Sequence, residues 1–320
     1  MTGLDALRLA EVAEAAAGSG EVVLEMRFAG LNPADRYLAE RQYPARPPLP
    51  HVLGRDGLGT VVRVGDGVTA VRPGDRRLIL RGETGVNRWG TFAQRVSVPV
   101  ENLMEIPAGW SDPEAAGATL VYLTAYQALT MWGPLPQSAV VLVTGASGGV
   151  GVASVQLACA LGHQVLALSR HPEKSGRLRE IGAAATFDVR EPRWRQAVRS
   201  ELAGRGVDLA IDSIGGRLLP QVIETLGDQG KVSLVGRLAG AVPEFNTAAL
   251  FFRRIRLGGV AVSAYSNPES RAAWEEVQRL LARTGARPVV DRIFPFDQLP
   301  QAFTRLAQGP LGKVLLEVNR

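Results

Sequence analysis

The 320 residues carry 46% hydrophobic and 21% charged side chains, a balance that excludes a disordered or fibrous chain and leaves room for two domains. The formal charge of +5 is spread along the chain rather than gathered in one run, which argues for a solvated basic surface with local anion binding and against nucleic acid as a partner. A single cysteine, Cys159, excludes an internal disulfide and a thiolate metal cluster, and no apolar run approaches the roughly 20 residues of a membrane span.

The N-terminal "MTGLDALRLAEVAEAAAG" is acidic where a signal peptide is basic, so a cytoplasmic location without a membrane partner is expected. From about residue 20 to 110 the runs "EVVLEMRFAG", "GTVVRVGDG", "RRLIL" and "TFAQRVSVP" are short, β-branched and punctuated by Gly, Pro and Asp, which reads as strands. From about residue 113 the pattern becomes helix, then strand and helix in alternation. "PEAAGATLVYLTAYQAL" reads as one helix, followed by "AVVLVTG", "VASVQLACALG", "QVLALSR", "EKSGRLREIG", "AAATFDV", "VDLAIDS", "GRLLPQVIETLG" and "GKVSLVG". Such alternation predicts a parallel sheet with right-handed crossovers. After about residue 262 come the helix "ESRAAWEEVQRLLARTG" and a final strand "GKVLLEV". Lysine occurs only at Lys174, Lys231 and Lys313, so almost all positive charge is arginine.

The stretch "VTGASGGVG" at 143–151 joins a strand of buried composition to an apolar-periodic helix. A helix N-terminus presents N–H groups and a positive dipole end to a pyrophosphate, and glycines keep side chains out of its way. The pattern is Ala146-x-Gly148-x-x-Gly151, with alanine in the first place of the usual G-x-G-x-x-G; the pattern alone is weak, its strand and helix context strong. About 20 residues on, where an acid would hold a ribose 2′-hydroxyl, "HQVLALSRHPEK" supplies Ser169 and Arg170, with Lys174 one helical turn further. Arginine pairs well with a 2′-phosphate, so the expected cofactor is NADPH rather than NADH.

These segments, together with "AGLNPADRYL", "LGRDGLGTVVRVGDGVTAVRPGDR", "LTAYQAL", "VDLAIDSIGG" and "GKVLLEV", resemble the medium-chain dehydrogenase/reductase superfamily, and within it the zinc-free quinone oxidoreductase branch that includes zeta-crystallin. The resemblance implies an α/β fold in which a doubly wound Rossmann domain is inserted in a β-rich, GroES-like catalytic domain built around a distorted barrel. It places the catalytic domain at 1–118 and 263–320, the NADP-binding domain at 119–262, the active site in the cleft between them, and two copies in a homodimer. Where zinc enzymes of this superfamily carry a catalytic cysteine this chain has Asn32, and where they carry Gly-His-Glu it has Gly54-Arg55-Asp56. The four-cysteine structural lobe is also missing, and His51, His163 and His171 are scattered, so no metal is expected.

Hydride transfer from NADPH to a quinone or an α,β-unsaturated carbonyl is then the expected reaction, because one hydrogen-bond donor can stabilise the charge that spreads onto oxygen. The resemblance gives Asn32 and Tyr37 the nicotinamide end of the site, with Tyr37 as donor to the substrate oxygen, and gives Thr124 a cofactor contact. Packing alone would explain Tyr37, an Asx-type turn Asn32, and a bond to its own helix Thr124. Ala146, Ser147, Gly148, Gly149, Val150 and Gly151 are assigned to the pyrophosphate, and Val235 and Gly236, after a later strand, to the cofactor's border. Val189 stands where the family often has a tyrosine, which removes one adenosine contact. Arg253, Arg254 and Arg256 in "FFRRIRLGG" read as a solvated face or as a site for an acyl-CoA phosphate. An enoyl-thioester reductase and a catalytically silent protein binding NADPH or nucleic acid are the alternative readings. The family's usual first strand would precede "GLDALRLAEV", so the expectation is a trimmed start or a missing edge strand.

Overall fold

The computed structural model describes residues 3–80, 83–241 and 243–319. The chain folds into two compact units: the first comprises residues up to Leu120, Ser263–Ala272 and the chain from Arg287 onward, and the second comprises Val121–Val262 and Ala273–Ala286. The sequence division assigns everything after residue 262 to the catalytic domain. In the structure Ala273–Ala286 groups with the second unit instead, where the helical stripe Trp274, Val277, Leu280 and Leu281 is buried.

The first unit contains β1 (Glu21–Gly30), α1 (Pro33–Ala39), β2 (Asp56–Val64), β3 (Arg76–Ile79), β4 (Arg95–Pro99), β5 (Leu103–Met104) and α2 (Asp112–Ala116). Strand β1 is buried on both faces at its C-terminal end and pairs antiparallel with β2 throughout its length. α3 (Thr119–Thr130) follows α2; the single helix read across this segment is broken at Gly117, where an added Cβ would lie 3.1 Å from the Lys313 side chain.

Strand β6 (Val140–Thr144) opens the second unit's sheet, followed by α4 (Gly149–Ala160), β7 (Gln164–Ser169), α5 (Ser175–Glu180), β8 (Ala185–Asp188), α6 (Trp194–Glu201), β9 (Val207–Asp212), α7 (Leu218–Thr225), β10 (Leu226–Leu234), α8 (Ala248–Phe252) and β11 (Arg256–Gly259). The sheet is parallel in the order β11-β10-β9-β6-β7-β8. From β6 the chain first adds strands on one side, then returns to the other at β9. That reversal makes the gap between the carboxyl ends of β6 and β9 the topological switch point, where ligands of such sheets bind. α6 escaped the sequence reading because its composition is polar; only Trp194 and Val198 are buried.

α9 (Asn267–Thr284) then leads to β12 (Val290–Pro295), α10 (Leu299–Ala307) and β13 (Lys313–Glu317). β13 returns to the first unit and pairs antiparallel with the end of β1, Gly30 opposite Leu315. The resulting seven-stranded sheet runs β12-β13-β1-β2-β3-β5, with β4 also on β1. The implied barrel is not closed: the path ends at β12 and β5, which do not pair with each other among the described residues. Its core gathers Leu24, Met26, Val61, Ile79, Phe303, Val314 and Leu316.

Candidate functional site

In the second unit the residues 143–151 form a strand, a tight turn and a helix. Val140–Thr144 are fully covered by neighbours. Gly145 takes φ 58°, a left-handed conformation open to glycine, and its carbonyl accepts the Gly148 N–H at 2.9 Å. α4 therefore starts at Gly149 with Gly148 as its N-cap residue, no side-chain cap and no acid in the first turn. Its first N–H groups and the positive end of its dipole are thus left to an external anion. Gly151 is required by space: a Cβ there would stand 2.3 Å from the Gly145 carbonyl oxygen and 2.7 Å from the Ala146 Cα. Ala146 is fully buried and Ser147 5% exposed, while Gly148, Gly149 and Val150 are half-buried. Ala146, Ser147 and Gly151 are therefore packed inside the turn, and Gly148, Gly149 and Val150 form its accessible rim.

Asp212, which the sequence reading passed over, organises the opposite lip. Its fully buried carboxylate accepts from Thr144 Oγ1 (2.6 Å), from the Ile214 N–H (3.0 Å) and from the Gly215 N–H (3.1 Å), while Thr144 Oγ1 in turn accepts the Ser213 N–H (3.0 Å). Two of these bonds, both to Thr144, tie the loop after β9 to the end of β6, and the other two hold that loop against Asp212 itself. The Val235 N–H donates to the Asp212 carbonyl at 2.9 Å, so Val235 and Gly236 run alongside the same loop. The signal that could have found Asp212 is an acid at the end of the apolar strand "VDLAID", opposite a threonine at the end of β6.

On the other side of β6, Ser169 ends β7 and its Oγ accepts the His171 N–H at 3.1 Å. Arg170 follows, exposed, with Nε 3.3 Å from the His171 ring. Lys174 lies in the 3-10 turn Pro172–Lys174. The Val189 N–H donates to the Ser169 carbonyl (3.0 Å), which brings the end of β8 beside this corner, where Asp188 is already engaged by Arg190. Thr124 is half-buried on α3, which is fastened to α4 by a hydrogen bond from Tyr122 to Gln156.

The first unit holds a buried charged cluster around α1. Asn32 is the N-cap residue of this helix and is 4% exposed. Its amide Nδ2 donates to Asp56 Oδ1 (2.8 Å), its Oδ1 accepts from Lys313 Nζ (2.8 Å), and its backbone N–H donates to Asp35 Oδ2 (2.9 Å). Lys313 Nζ also donates to Asp56 Oδ2 (3.2 Å) and to the Leu31 carbonyl (3.0 Å). Beside it Arg55 Nε donates to Asp35 Oδ1 at 2.9 Å, Nη2 donates to the Ala34 carbonyl at 3.2 Å, and the guanidinium lies 4.9 Å from the centre of the Tyr43 ring. Burial pushes the Asp56 carboxyl above its ordinary value although the Lys313 ammonium pulls it down. For Arg55 burial works against the cation, but Asp35 and Tyr43 more than offset it, and the guanidinium stays charged.

Both polar atoms of the Asn32 side chain are engaged inside the protein, Nδ2 with Asp56 and the Gly30 carbonyl and Oδ1 with Lys313. Tyr37 lies on α1 and is half-buried, with its carbonyl accepting the N–H groups of Gln42 (2.7 Å) and Tyr43 (3.1 Å). The sequence reading missed Asp35 and Lys313. The signal for Lys313 was available, since it is one of three lysines in an arginine-rich chain and stands at the head of an apolar strand.

A zinc ion does not fit this cluster. Arg55 has no lone pair to offer, Asn32 and Asp56 are turned toward Lys313, and two cations already occupy the neighbourhood. Among the described residues no group of three or more His, Cys, Asp or Glu converges elsewhere either. No described helix is long and apolar enough to cross a membrane.

Two family descriptions match the chain: an alcohol dehydrogenase GroES-like domain over residues 18–108 and a zinc-binding dehydrogenase over residues 149–283. A quinone oxidoreductase-like protein 2 homolog of Nematostella vectensis is 30% identical over 309 residues, covering 95% of this chain and 83% of that protein. The structure of mycobacterial Rv1454c complexed with NADPH is 27% identical, with a TM-score of 0.89 over 99% of this chain and 98% of that one. A structure described as an NAD-dependent alcohol dehydrogenase is 29% identical, with a TM-score of 0.88 over 97% of this chain and 95% of the other.

Proposed function

The chain belongs to the medium-chain dehydrogenase/reductase superfamily, in its quinone oxidoreductase branch, and from that membership we propose that it reduces a quinone or an α,β-unsaturated carbonyl with NADPH and without a catalytic metal. It is an oxidoreductase of a family that uses nicotinamide cofactors; the choice of NADPH and of acceptor is the proposal. The observation that carries it is the uncapped, acid-free N-terminus of α4 at the sheet's switch point, with Arg170 at the end of the adjacent strand.

When bound, the dinucleotide supplies the hydride. The protein's part is to hold and orient it. The N–H groups of Gly149, Val150 and Gly151 would bind the pyrophosphate, and Arg170, helped by Lys174, would pair with the 2′-phosphate. Val235 and Gly236 would border the cofactor, Thr124 would contact it, and Tyr37 would donate to the acceptor's oxygen. Homodimerisation, on resemblance alone, and a cytoplasmic location complete the proposal.

The test is to follow oxidation of NADPH and NADH against quinones, enones, enals and enoyl-CoAs, in the wild type and in Arg170→Asp. A guanidinium–phosphate hydrogen bond contributes about 1.5–3 kcal/mol, so the variant should lower the NADPH/NADH ratio of kcat/KM roughly tenfold to hundredfold. An unchanged ratio would refute the role of Arg170. No turnover with any quinone or enone would refute the acceptor class, and accumulation of saturated acyl-CoA would move the assignment to thioester reduction.

A further inference from the structure

Asp212 is a polar group that the packing of the sheet does not require. The residues before it on β9, Leu209, Ala210 and Ile211, are apolar and fully buried, and so is Asp212 itself. A buried carboxylate costs free energy unless donors meet it. Here the donors come from one small region: Thr144 Oγ1 at the end of β6, and the N–H groups of Ile214 and Gly215 in the loop after β9. Thr144 Oγ1 also accepts the Ser213 N–H, so the β9 segment grips this threonine on both sides of its hydroxyl. The loop that results turns through Gly215 and Gly216, both left-handed at φ 64° and 54°. It also supports the next loop. The N–H groups of Val235 and Ala239 donate to the carbonyls of Asp212 (2.9 Å) and Ile214 (2.8 Å). Added Cβ atoms at Gly216 and Gly236 would stand 2.3 Å from the Ala239 carbonyl oxygen and 2.7 Å from the Ser213 carbonyl oxygen. The loops after β9 and β10 thus lie on one another, and the Thr144–Asp212 pair fastens both to β6.

We propose that Asp212 and Thr144 are positioning residues for the nicotinamide half of the dinucleotide, acting through the β9 and β10 loops that they hold at the carboxyl edge of the sheet. This rests on the cofactor reading above. In that reading the 2′-phosphate lies beside Arg170 at the end of β7, and the pyrophosphate lies at the start of α4, which follows β6. The sheet runs β10-β9-β6-β7, with neighbouring strands about 4.8 Å apart, so a molecule that crosses from β7 to β6 continues over the ends of β9 and β10. Its second half then meets the backbone of Ser213, Ile214, Val235 and Gly236 rather than the glycine turn. That turn is closed by its own bond from the Gly148 N–H to the Gly145 carbonyl, so the two halves of the cofactor face separately fastened backbone. A surface already fixed by buried bonds pays no ordering cost when the ligand arrives, and loosening it weakens that half alone.

Titrating the full chain with NADPH, which spans both halves, and with adenosine 2′,5′-bisphosphate, which reaches only the β7 and α4 side, tests this. Thr144→Val keeps the shape of the side chain and removes the hydroxyl, which leaves the Ser213 N–H without its acceptor. The variant should bind NADPH about tenfold more weakly, the usual effect of stranding one buried donor, and the bisphosphate within about twofold of the wild type. Thr144→Ser returns the hydroxyl and should return NADPH binding to the wild-type level. A merely structural role would weaken both ligands together. Asp212→Asn sets an amide donor among the donors that Asp212 accepts; it should show the same split between the ligands, and it decides the matter if Thr144→Val does not fold. NADPH bound equally by wild type and variant, both ligands weakened in the same proportion, or no rescue by serine overturns the positioning role and leaves the cofactor reading standing. A wild type that binds neither ligand overturns both.

Discussion

Lys313→Ala is expected to destabilise the folded protein by about 3–5 kcal/mol, the usual cost of removing one partner from a buried ion pair. The cost is large because Asp56 is 1% exposed and Lys313 4%, so water cannot take over the lost bonds. The ammonium has three acceptors, Asp56, Asn32 Oδ1 and the Leu31 carbonyl, and its loss frees all three at once. The effect also carries a pH signature. Asp56 already has a carboxyl pKa above its ordinary 3.8, from burial first, and Lys313 is the largest influence lowering it. Without Lys313 the folded-state pKa rises further, while the unfolded chain still releases the proton near 3.8. Between those two values the folded state binds a proton that the unfolded state does not, so the variant loses stability as pH rises through that window. Urea unfolding at pH 5 and pH 8 should therefore show a larger deficit at pH 8. Lys313→Met/Asp56→Asn should recover most of it, since a neutral pair leaves no charge stranded. A single variant as stable as the wild type, or a double variant as poor as the single one, would show that the cluster does not hold α1 in place.

Gly151→Val should abolish detectable NADPH binding, with an affinity loss of about a hundredfold or more, and lower stability by roughly 1–3 kcal/mol through overpacking. A Cβ at this position meets backbone on two sides, the Gly145 carbonyl and Ala146, so relief requires α4 to move away from β6. That movement carries the N–H groups of Gly149 and Val150 off the position from which they would meet a pyrophosphate. Gly148→Ala is the contrast, since its added Cβ would have only the Gly145 oxygen, 3.4 Å away, within contact. It should unfold within about 1 kcal/mol of the wild type, as substitutions away from packing constraints do. Cofactor fluorescence titration with urea unfolding measures both. If Gly151→Val binds NADPH within threefold of the wild type, the loop is not the phosphate cradle.

Much of the second unit was legible because its strands are covered on both sides and so read as continuous apolar runs between glycine turns: "AVVLVTG" and "VDLAIDS" lie within a residue of β6 and β9. β11, β12 and α10 were not read. β11 is an edge strand of four residues, two of them glycines, and in β12 only Phe294 is fully buried, so neither shows a periodic signal. α1 is hidden by its length of seven residues and its proline, so no helical signal surrounds Tyr37.

By itself the sequence determined what depends on neighbours along the chain: the alternation that makes a parallel sheet, the glycines that let a helix begin against a strand, and the arginine after the next strand. The tertiary structure decided what depends on distant segments meeting. Asn32, Asp56 and Lys313 are up to 281 residues apart, yet their side chains share hydrogen bonds because β13 pairs with the end of β1. Asp212 reaches Thr144 across 68 residues because β9 lies beside β6. No local pattern encodes such meetings. An acid or a lysine looks alike on a solvated face and in a core, and only burial and its partner give it a role.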